Sequence, residues 1–284
     1  MTDQAVAQSV GFPAARGKAW AFLRRQVLTA YAILAFAYLL IPIAVVVLFS
    51  FNNPRGRFNY VWQGFTLDNW RQWDAVPGIR SAIELSLEIA ALSALAATAL
   101  GTLIALALVR YGFRGRGATN LLIFVPMSTP EIVLGASLLT LFLNWQFPLG
   151  FWSILIAHVM FNISYVVVTV KARLVGFDRH LEEAAMDLGA NEWTTFTRVT
   201  LPLIAPGILA AMLLAFALSV DDFVITNFNA GSTVTFPLFV WGAARVGVPP
   251  QINVIGTTIF VLAVGCMVAN LVFQNRPGRR SASA

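Results

Sequence analysis

Along the chain, uncharged apolar runs long enough to cross a bilayer alternate with short stretches that hold nearly all of the charge. A helix rising about 1.5 Å per residue needs about 20 apolar residues to span about 30 Å of hydrocarbon. Residues 28–51 are uncharged throughout and give the first expected crossing. The second covers 81–109, uncharged from Ile89 to Val109 and rich in Ala and Leu, and the third covers 119–143 and contains Pro126, Pro130 and Glu131. Positions 132–170 carry no charge, which is too long a stretch for one crossing. The cluster Asn144, Trp145, Gln146, Pro148 and Gly150 divides it, so that a tight hairpin leads into a fourth crossing at 151–170. A polar segment at 171–203 precedes a fifth at 205–229. After a stretch with Pro237, Arg245, Pro249 and Pro250, a sixth runs over 252–273.

Composition sharpens this picture: 58% of the 284 residues are hydrophobic and 11% charged, against about 45–50% and about 25% in ordinary soluble domains. The expected fold class is therefore an all-α, polytopic membrane protein. The net charge of +6 does not point to nucleic acid, because the arginines sit in short loops between apolar runs instead of on one face of a soluble fold. Their distribution is an orientation signal. Fourteen of the nineteen Lys and Arg residues fall on one side of the six-crossing map, in the segments before the first, between the second and third, between the fourth and fifth, and after the sixth. Five (Arg55, Arg57, Arg71, Arg80 and Arg245) fall on the other. Both termini are thus expected in the cytoplasm: a tail at 1–27, the transmembrane domain at 28–274 and a tail at 275–284. Trp20, Tyr31, Tyr60, Trp62, Trp145, Trp152, Trp193 and Trp241 fall mostly at the expected interfaces. The leader with Arg16, Lys18, Arg24 and Arg25 is long for a signal peptide, and the run behind it exceeds a signal's apolar core, so the first crossing is expected to be retained. Cys266, the single cysteine, forms no internal disulfide.

The 171–203 segment has the local chemistry of two short helices. Asp178 suits the N-cap of one carrying Leu181, Ala184, Ala185 and Leu188, and Gly189 suits a left-handed residue that stops it. Asn191 caps a second that runs through Arg198 and that Pro202 is expected to end. Within it, Glu183, Ala184, Ala185, Gly189 and Ala190, followed by Phe196, Val199, Leu201, Pro202, Pro206 and Ile208, resemble the EAA loop of binding-protein-dependent ABC importer permeases. The resemblance extends over most of the chain and narrows. Phe65 and Thr66, 127–134 (MSTPEIVL), 149–152 (LGFW), 173–178 (RLVGFD), 219–226 (SVDDFVIT) and 247–253 (GVPPQIN) are similar to the second permease subunits of spermidine/putrescine importers. Gln251, where that subfamily carries an acidic residue, and 227–233 (NFNAGST) depart from the pattern.

The resemblance implies a type I ABC importer transmembrane domain. It implies a heterodimer with a second, homologous permease, two ATP-binding subunits at the cytoplasmic loop and an extracytoplasmic substrate-binding protein, in a bacterial inner (plasma) membrane. Glu183, Ala184, Ala185, Gly189, Leu201 and Pro202 would then form the ATPase coupling element. The chain has no glycine-rich phosphate loop of the G-x-x-x-x-G-K type. ATP and Mg are accordingly expected on the partner ATPase, and this chain is expected to hold no cofactor, no metal and no catalytic residue.

Charges inside the crossings are functional candidates, since a carboxylate at the bilayer centre costs at least about 2.5 kcal/mol. Glu131, Asp221 and Asp222 fall at similar depth, roughly 18–20 Å from the cytoplasmic side at the helical rise. They are the candidate lining of a path for a cationic solute, the bland alternative being contacts between helices. Glu84 and Glu88 share one face near the outer mouth. His158, alone in the fourth crossing, reads as hydrogen-bonded packing, and His180 as a solvated or ATPase-facing residue. Met127, Met160, Met212 and Met267 are apolar filling. An intramembrane enzyme has no matching constellation here: neither HExxH nor G-x-S-x-G occurs, and there are two histidines. An ion-coupled secondary transporter or a scaffold subunit remain as alternatives of other classes, and an opine or amino-acid-like solute as an alternative to a polyamine.

Overall fold

The computed structural model describes residues 14–56 and 58–274. The expected tail segments 1–13 and 275–284 and the position of Arg57 lie outside the described residues, as do the side chains of Arg16, Lys18, Trp20, Arg24, Cys266 and Met267. Among the described residues the chain is helical, with one isolated antiparallel bridge between Asn52 and Phe65 and no strand. The helices are α1 (Ala14–Phe49), α2 (Asp68–Arg71), α3 (Ile79–Arg110), α4 (Arg116–Ser128), α5 (Glu131–Asn144), α6 (Phe151–Val175), α7 (His180–Asp187), α8 (Glu192–Thr195), α9 (Leu201–Asp221), α10 (Val224–Asn229), α11 (Phe236–Val246) and α12 (Pro250–Gln274).

Two compact units divide the chain, the first formed by residues 1–73 and 249–284 and the second by 74–248. In the first, α1 packs on α12, and the apolar side chains of α1 from Val27 to Leu48 are largely exposed, as lipid-facing residues are. Helix α1 begins at Ala14, so part of the expected tail at 1–27 is helical. The segment after α1 is braced by three buried asparagines. Asn52 Nδ2 donates to Asn59 Oδ1 (2.6 Å) and Val61 O (2.8 Å), Asn59 Nδ2 donates to Phe49 O (2.9 Å), and Asn69 Nδ2 donates to Asn52 O (2.7 Å). Amide side chains carry both donor and acceptor, so they replace the backbone pairing that a helix or sheet would provide.

The second unit is built on α3, α6 and α9, which pack against one another. Their contact is made largely of small residues: Ala94, Ala97, Ala105, Ala211 and Ala215 are buried beside Val166, Val167, Val170 and Ile204. Lipid tails are as apolar as side chains, so van der Waals packing rather than escape from water holds such helices, and small residues allow the close approach it needs. At Gly101 the approach is tightest: a Cβ there would lie 2.6 Å from Val166 Cγ1 and 3.3 Å from Ile163 O.

The long runs α3 and α6 match the second and fourth expected crossings within a few residues. The third does not. The expected single crossing at 119–143 is two helices, α4 and α5, whose axes differ by 108°. Thr129, pushed out of helical geometry by the proline that follows, is extended (ψ 133°), and Pro130 has no N–H to continue the ladder. The fifth also differs: the expected helix at 205–229 starts earlier, at Leu201, stops at Asp221, and resumes as α10 after an extended Asp222 (ψ 118°). Nor does Pro202 end the helix that Asn191 caps. Residues Phe196–Thr200 form a wide π turn in which the Leu201 N–H reaches back to Phe196 O, and α9 continues from it with Pro202 in its first turn. A wide turn directly before a proline absorbs the missing N–H. Among the described residues four helical stretches are long and apolar enough to cross a membrane: Arg25–Phe49, Ile79–Arg110, Phe151–Val175 and Glu192–Asp221. The α4–α5 pair makes a fifth if counted together.

A methyl group at position 101 must displace the fully buried Val166. Gly101→Ala is therefore expected to destabilise the protein by about 1–3 kcal/mol, read as a lower Tm in detergent, and Val166→Ala in the same chain to restore most of the loss.

Candidate functional site

Two regions of the second unit carry the chemistry, one at the helix breaks and one at the hairpin between α6 and α9. At the first break Glu131 opens α5 and is exposed, immediately beyond Pro130. At the second, Asp221 ends α9 and is exposed, whereas Asp222 turns inward. The two short helices that follow the breaks lie side by side: a Cβ at Gly135 of α5 would sit 2.8 Å from the Phe228 ring of α10. The structure thus brings the two broken segments together. Among the described residues neither Glu131 nor Asp221 has a cationic side chain within salt-bridge distance.

The Asp222 carboxylate is held from four directions. Its Oδ1 accepts from Ile225 N (3.3 Å), and its Oδ2 accepts from Thr226 N (2.8 Å) and Thr226 Oγ1 (2.7 Å). His158 Nε2 of α6 lies 3.2 Å from the same Oδ2 and 2.8 Å from Thr226 Oγ1. Asp222 therefore caps α10, satisfying N–H groups left free where the helix restarts. The His158 and Asp222 side chains are 4% and 6% exposed. His158 Nδ1 is 2.6 Å from Ser219 Oγ of α9, which accepts from Ser93 Oγ of α3 at 3.0 Å. The expectation of a hydrogen-bonded histidine in packing thus acquires definite partners. Glu84 pairs with Arg80 at 2.8 Å and Glu88 is exposed, near the start of α3.

In the hairpin, Asp178 Oδ1 accepts from His180 N (3.0 Å) and binds the first turn of α7. Gly189 takes φ +90° directly after α7, and Asn191 Oδ1 accepts from Thr194 N (2.8 Å) to cap α8. Glu183, Ala184 and Gly189 are exposed, Ala185 is half-buried, and Leu201 and Pro202 are exposed at the root of α9. Among the described residues the one hydrogen-bonding partner of the Glu183 carboxylate is His180, at 3.2 Å. Leu188 and Trp193 beside them are 90% and 72% exposed, so the hairpin presents an apolar surface with a carboxylate on it.

Glu182, the neighbour of Glu183, was not distinguished by sequence. It is buried and pairs bidentately with Arg110 at the end of α3, while Thr200 donates to the same carboxylate. Burial opposes its charge, but the Arg110 guanidinium and the Thr200 hydroxyl outweigh it and hold the carboxyl below its ordinary range. Arg110 lies over the Phe177 ring at 5.6 Å, and Arg179 donates to Val109 O at 3.0 Å. The hairpin is thereby tied to α3 and to the root of α9. The signal available in sequence was the pair of adjacent glutamates, which helical geometry sends about 100° apart.

The family model described as "Binding-protein-dependent transport system inner membrane component" matches residues 97–275. The spermidine/putrescine transport system permease protein PotC of Escherichia coli K12 is 42% identical over 236 residues, 83% of this chain and 89% of the relative. PotC of Haemophilus influenzae is 41% identical, covering 87% and 96%, and the putrescine transport system permease protein PotI of Escherichia coli K12 is 40% identical, covering 80% and 83%. Among solved structures, a bacterial ABC transporter that imports the acidic polysaccharide alginate matches with a TM-score of 0.64 at 18% identity, over 90% of this chain and 97% of that one. The chain belongs to the family of binding-protein-dependent transport system inner membrane components.

Proposed function

We propose that this chain is a permease subunit of an ATP-driven importer for a cationic polyamine, spermidine or putrescine. The observation that carries this reading is the 40–42% identity to PotC and PotI over more than three quarters of the chain. A second, homologous permease completes the pathway and an extracytoplasmic binding protein delivers the solute. The chain crosses the membrane six times with both termini in the cytoplasm, its tails near 1–27 and 275–284 flanking the domain at 28–274. Two separate ATP-binding subunits hydrolyse ATP with Mg, and their contact is the hairpin within 171–203.

Within this reading the hairpin residues Glu183, Ala184, Ala185 and Gly189, with Leu201 and Pro202 at the root of α9, transmit closure of the ATPase pair. Small residues at the tip let another surface approach, and the Glu182–Arg110 pair carries the displacement to α3 and, through Thr200, to α9. Glu131 and Asp221, exposed at the two breaks, make the pathway wall anionic, with Asp222 held behind Asp221. A polyamine sheds part of its hydration shell on entering, and carboxylates near the breaks replace the lost water dipoles.

The reconstituted complex with its binding protein is expected to hydrolyse ATP faster on addition of putrescine or spermidine. Stimulation by an unrelated solute, and by neither polyamine, would discard the polyamine. Gly189→Ala forces a Cβ into left-handed backbone at about 1 kcal/mol and is expected to reduce the stimulated rate. Glu182→Gln removes charge-assisted bonds of about 1.5–3 kcal/mol and is expected to loosen the hairpin, measured by amide exchange over α7. Because folding lowers the pKa of Glu182, its contribution is complete above the ordinary carboxylate range and is lost as pH falls below that range. The wild-type hairpin should therefore gain exchange only on acidification, while the Gln variant exchanges fast at neutral pH. Glu131→Gln and Asp221→Asn, assembled normally, are each expected to lower polyamine uptake about tenfold, equivalent to about 1.4 kcal/mol in a barrier. Uptake at the parental rate in both would sink the pathway assignment.

A further inference from the structure

The buried polar chain around His158 is directional, and its direction can be read by counting protons. The single hydroxyl proton of Thr226 goes to Asp222 Oδ2, 2.7 Å away. Thr226 Oγ1 can therefore only accept from His158 Nε2, 2.8 Å away, so we assign that nitrogen the proton, which it shares with Asp222 Oδ2 at 3.2 Å. With the ring neutral, His158 Nδ1 is left to accept from Ser219 Oγ (2.6 Å), and Ser219 accepts from Ser93 (3.0 Å), whose hydroxyl also lies 3.2 Å from Ala90 O. The run Ser93, Ser219, His158, Thr226, Asp222 crosses α3, α9, α6 and α10 with one donor and one acceptor at each internal step.

It ends where α9 is broken. Asp221 and Asp222 are adjacent, yet the first is exposed while the second has its oxygens occupied by Ile225 N, Thr226 N, Thr226 Oγ1 and the imidazole. A carboxylate engaged in this way has little acceptor capacity left for an ammonium group. What it does have is control of the backbone: its cap on α10 fixes the turn that sets the direction of Asp221.

We propose that His158 is a positioning residue for transport. It locks Asp222 as the anchor of the α9–α10 break, so that Asp221 and not Asp222 is the carboxylate of this pair that meets the solute. Any side chain at 158 that accepts from Ser219 and donates to Asp222 can do this, and one that merely fills the volume cannot. The proposal rests on the reading that the breaks line the solute path.

The test uses the whole complex in membranes, with polyamine uptake and membrane level measured together. His158→Gln, whose amide supplies both an acceptor and a donor, is expected to keep uptake within about threefold of the parent. His158→Leu, which fills the space without either, is expected to lose about tenfold or more. If the Leu variant does not reach the membrane, Ser219→Ala takes its place; it removes the hydroxyl at Nδ1 and is expected to lower uptake about threefold. The second readout is independent of transport: with Cys266→Ala and Asp221→Cys, labelling by a cationic thiol reagent reports the presentation of position 221. That rate is expected to change about fivefold or more with His158→Leu, or with Ser219→Ala in its place, and to stay within about twofold with His158→Gln. Equal uptake in the Leu and Gln variants, or a labelling rate that neither Leu nor Ala changes, overturns the proposal. Failure of the underlying reading looks different: Glu131→Gln and Asp221→Asn would then transport normally whatever stands at 158.

Discussion

A backbone that leaves helical geometry inside hydrocarbon must find new partners for its N–H and C=O groups, because no water is there to take them. This constraint shapes the second unit more than any single contact. The chain breaks its helices at Thr129–Pro130 and at Asp222–Phe223, and each break is chemically provided for. At the first, proline has no N–H to satisfy, and the Thr129 N–H still reaches Val125 O at 2.9 Å. At the second, the Asp222 carboxylate takes the N–H groups of Ile225 and Thr226. A buried carboxylate needs its own compensation, and the His158 ring and the Thr226 hydroxyl provide it. The breaks cost stability, and irregular backbone of this kind is what transporters concentrate where they bind solutes.

The rest of the unit makes those breaks possible by being rigid. Helices α3, α6 and α9 approach closely through alanine and Gly101, leaving few soft side chains between them. Interiors packed this way move as blocks and do not deform continuously. The short helices α5 and α10, joined through Gly135 and Phe228, form a second pair, which α4 meets at 108° and α9 meets across the extended Asp222. A multi-pass inner-membrane protein of this family thus combines a dense frame with a pair of interrupted segments carrying exposed carboxylates.

Much of this was legible in the sequence where the signal is local. Uncharged runs located α3 and α6, and Gly189 and Asn191 marked turns whose φ and capping bonds are as their chemistry requires. Pro130 announced irregular backbone, but a proline in an apolar run is compatible with anything from a mild kink to the 108° turn observed; what stands against α5 decides, and Phe228 is almost a hundred positions away. Pro202 was misread for a related reason: a proline near a helix start and one at its end look alike until the preceding turn is seen to widen. The partners of Glu182 and His158 were not legible, because Arg110 and Ser219 are brought to them by tertiary packing alone. Adjacent acidic pairs were ambiguous for the same cause. In both Glu182–Glu183 and Asp221–Asp222 one carboxylate is buried and held and the other is exposed, and only the fold says which.

That repeated arrangement connects the two regions. Helix α9 runs from one to the other: Thr200, bonded to buried Glu182, stands at its root, and Ser219, bonded to His158, stands near its far end. Its 21 residues make a rod of about 30 Å. A stiff helix clamped at both ends carries displacement along its axis or rotation about it, and a rotation is the more consequential here. Turning α9 changes the register of Ser219 against His158 and with it the grip on Asp222, while Asp221, one residue away and unclamped, sweeps a larger arc. The held member of each acidic pair fixes the rod, and the exposed member, Glu183 at one end and Asp221 at the other, is left to face outward.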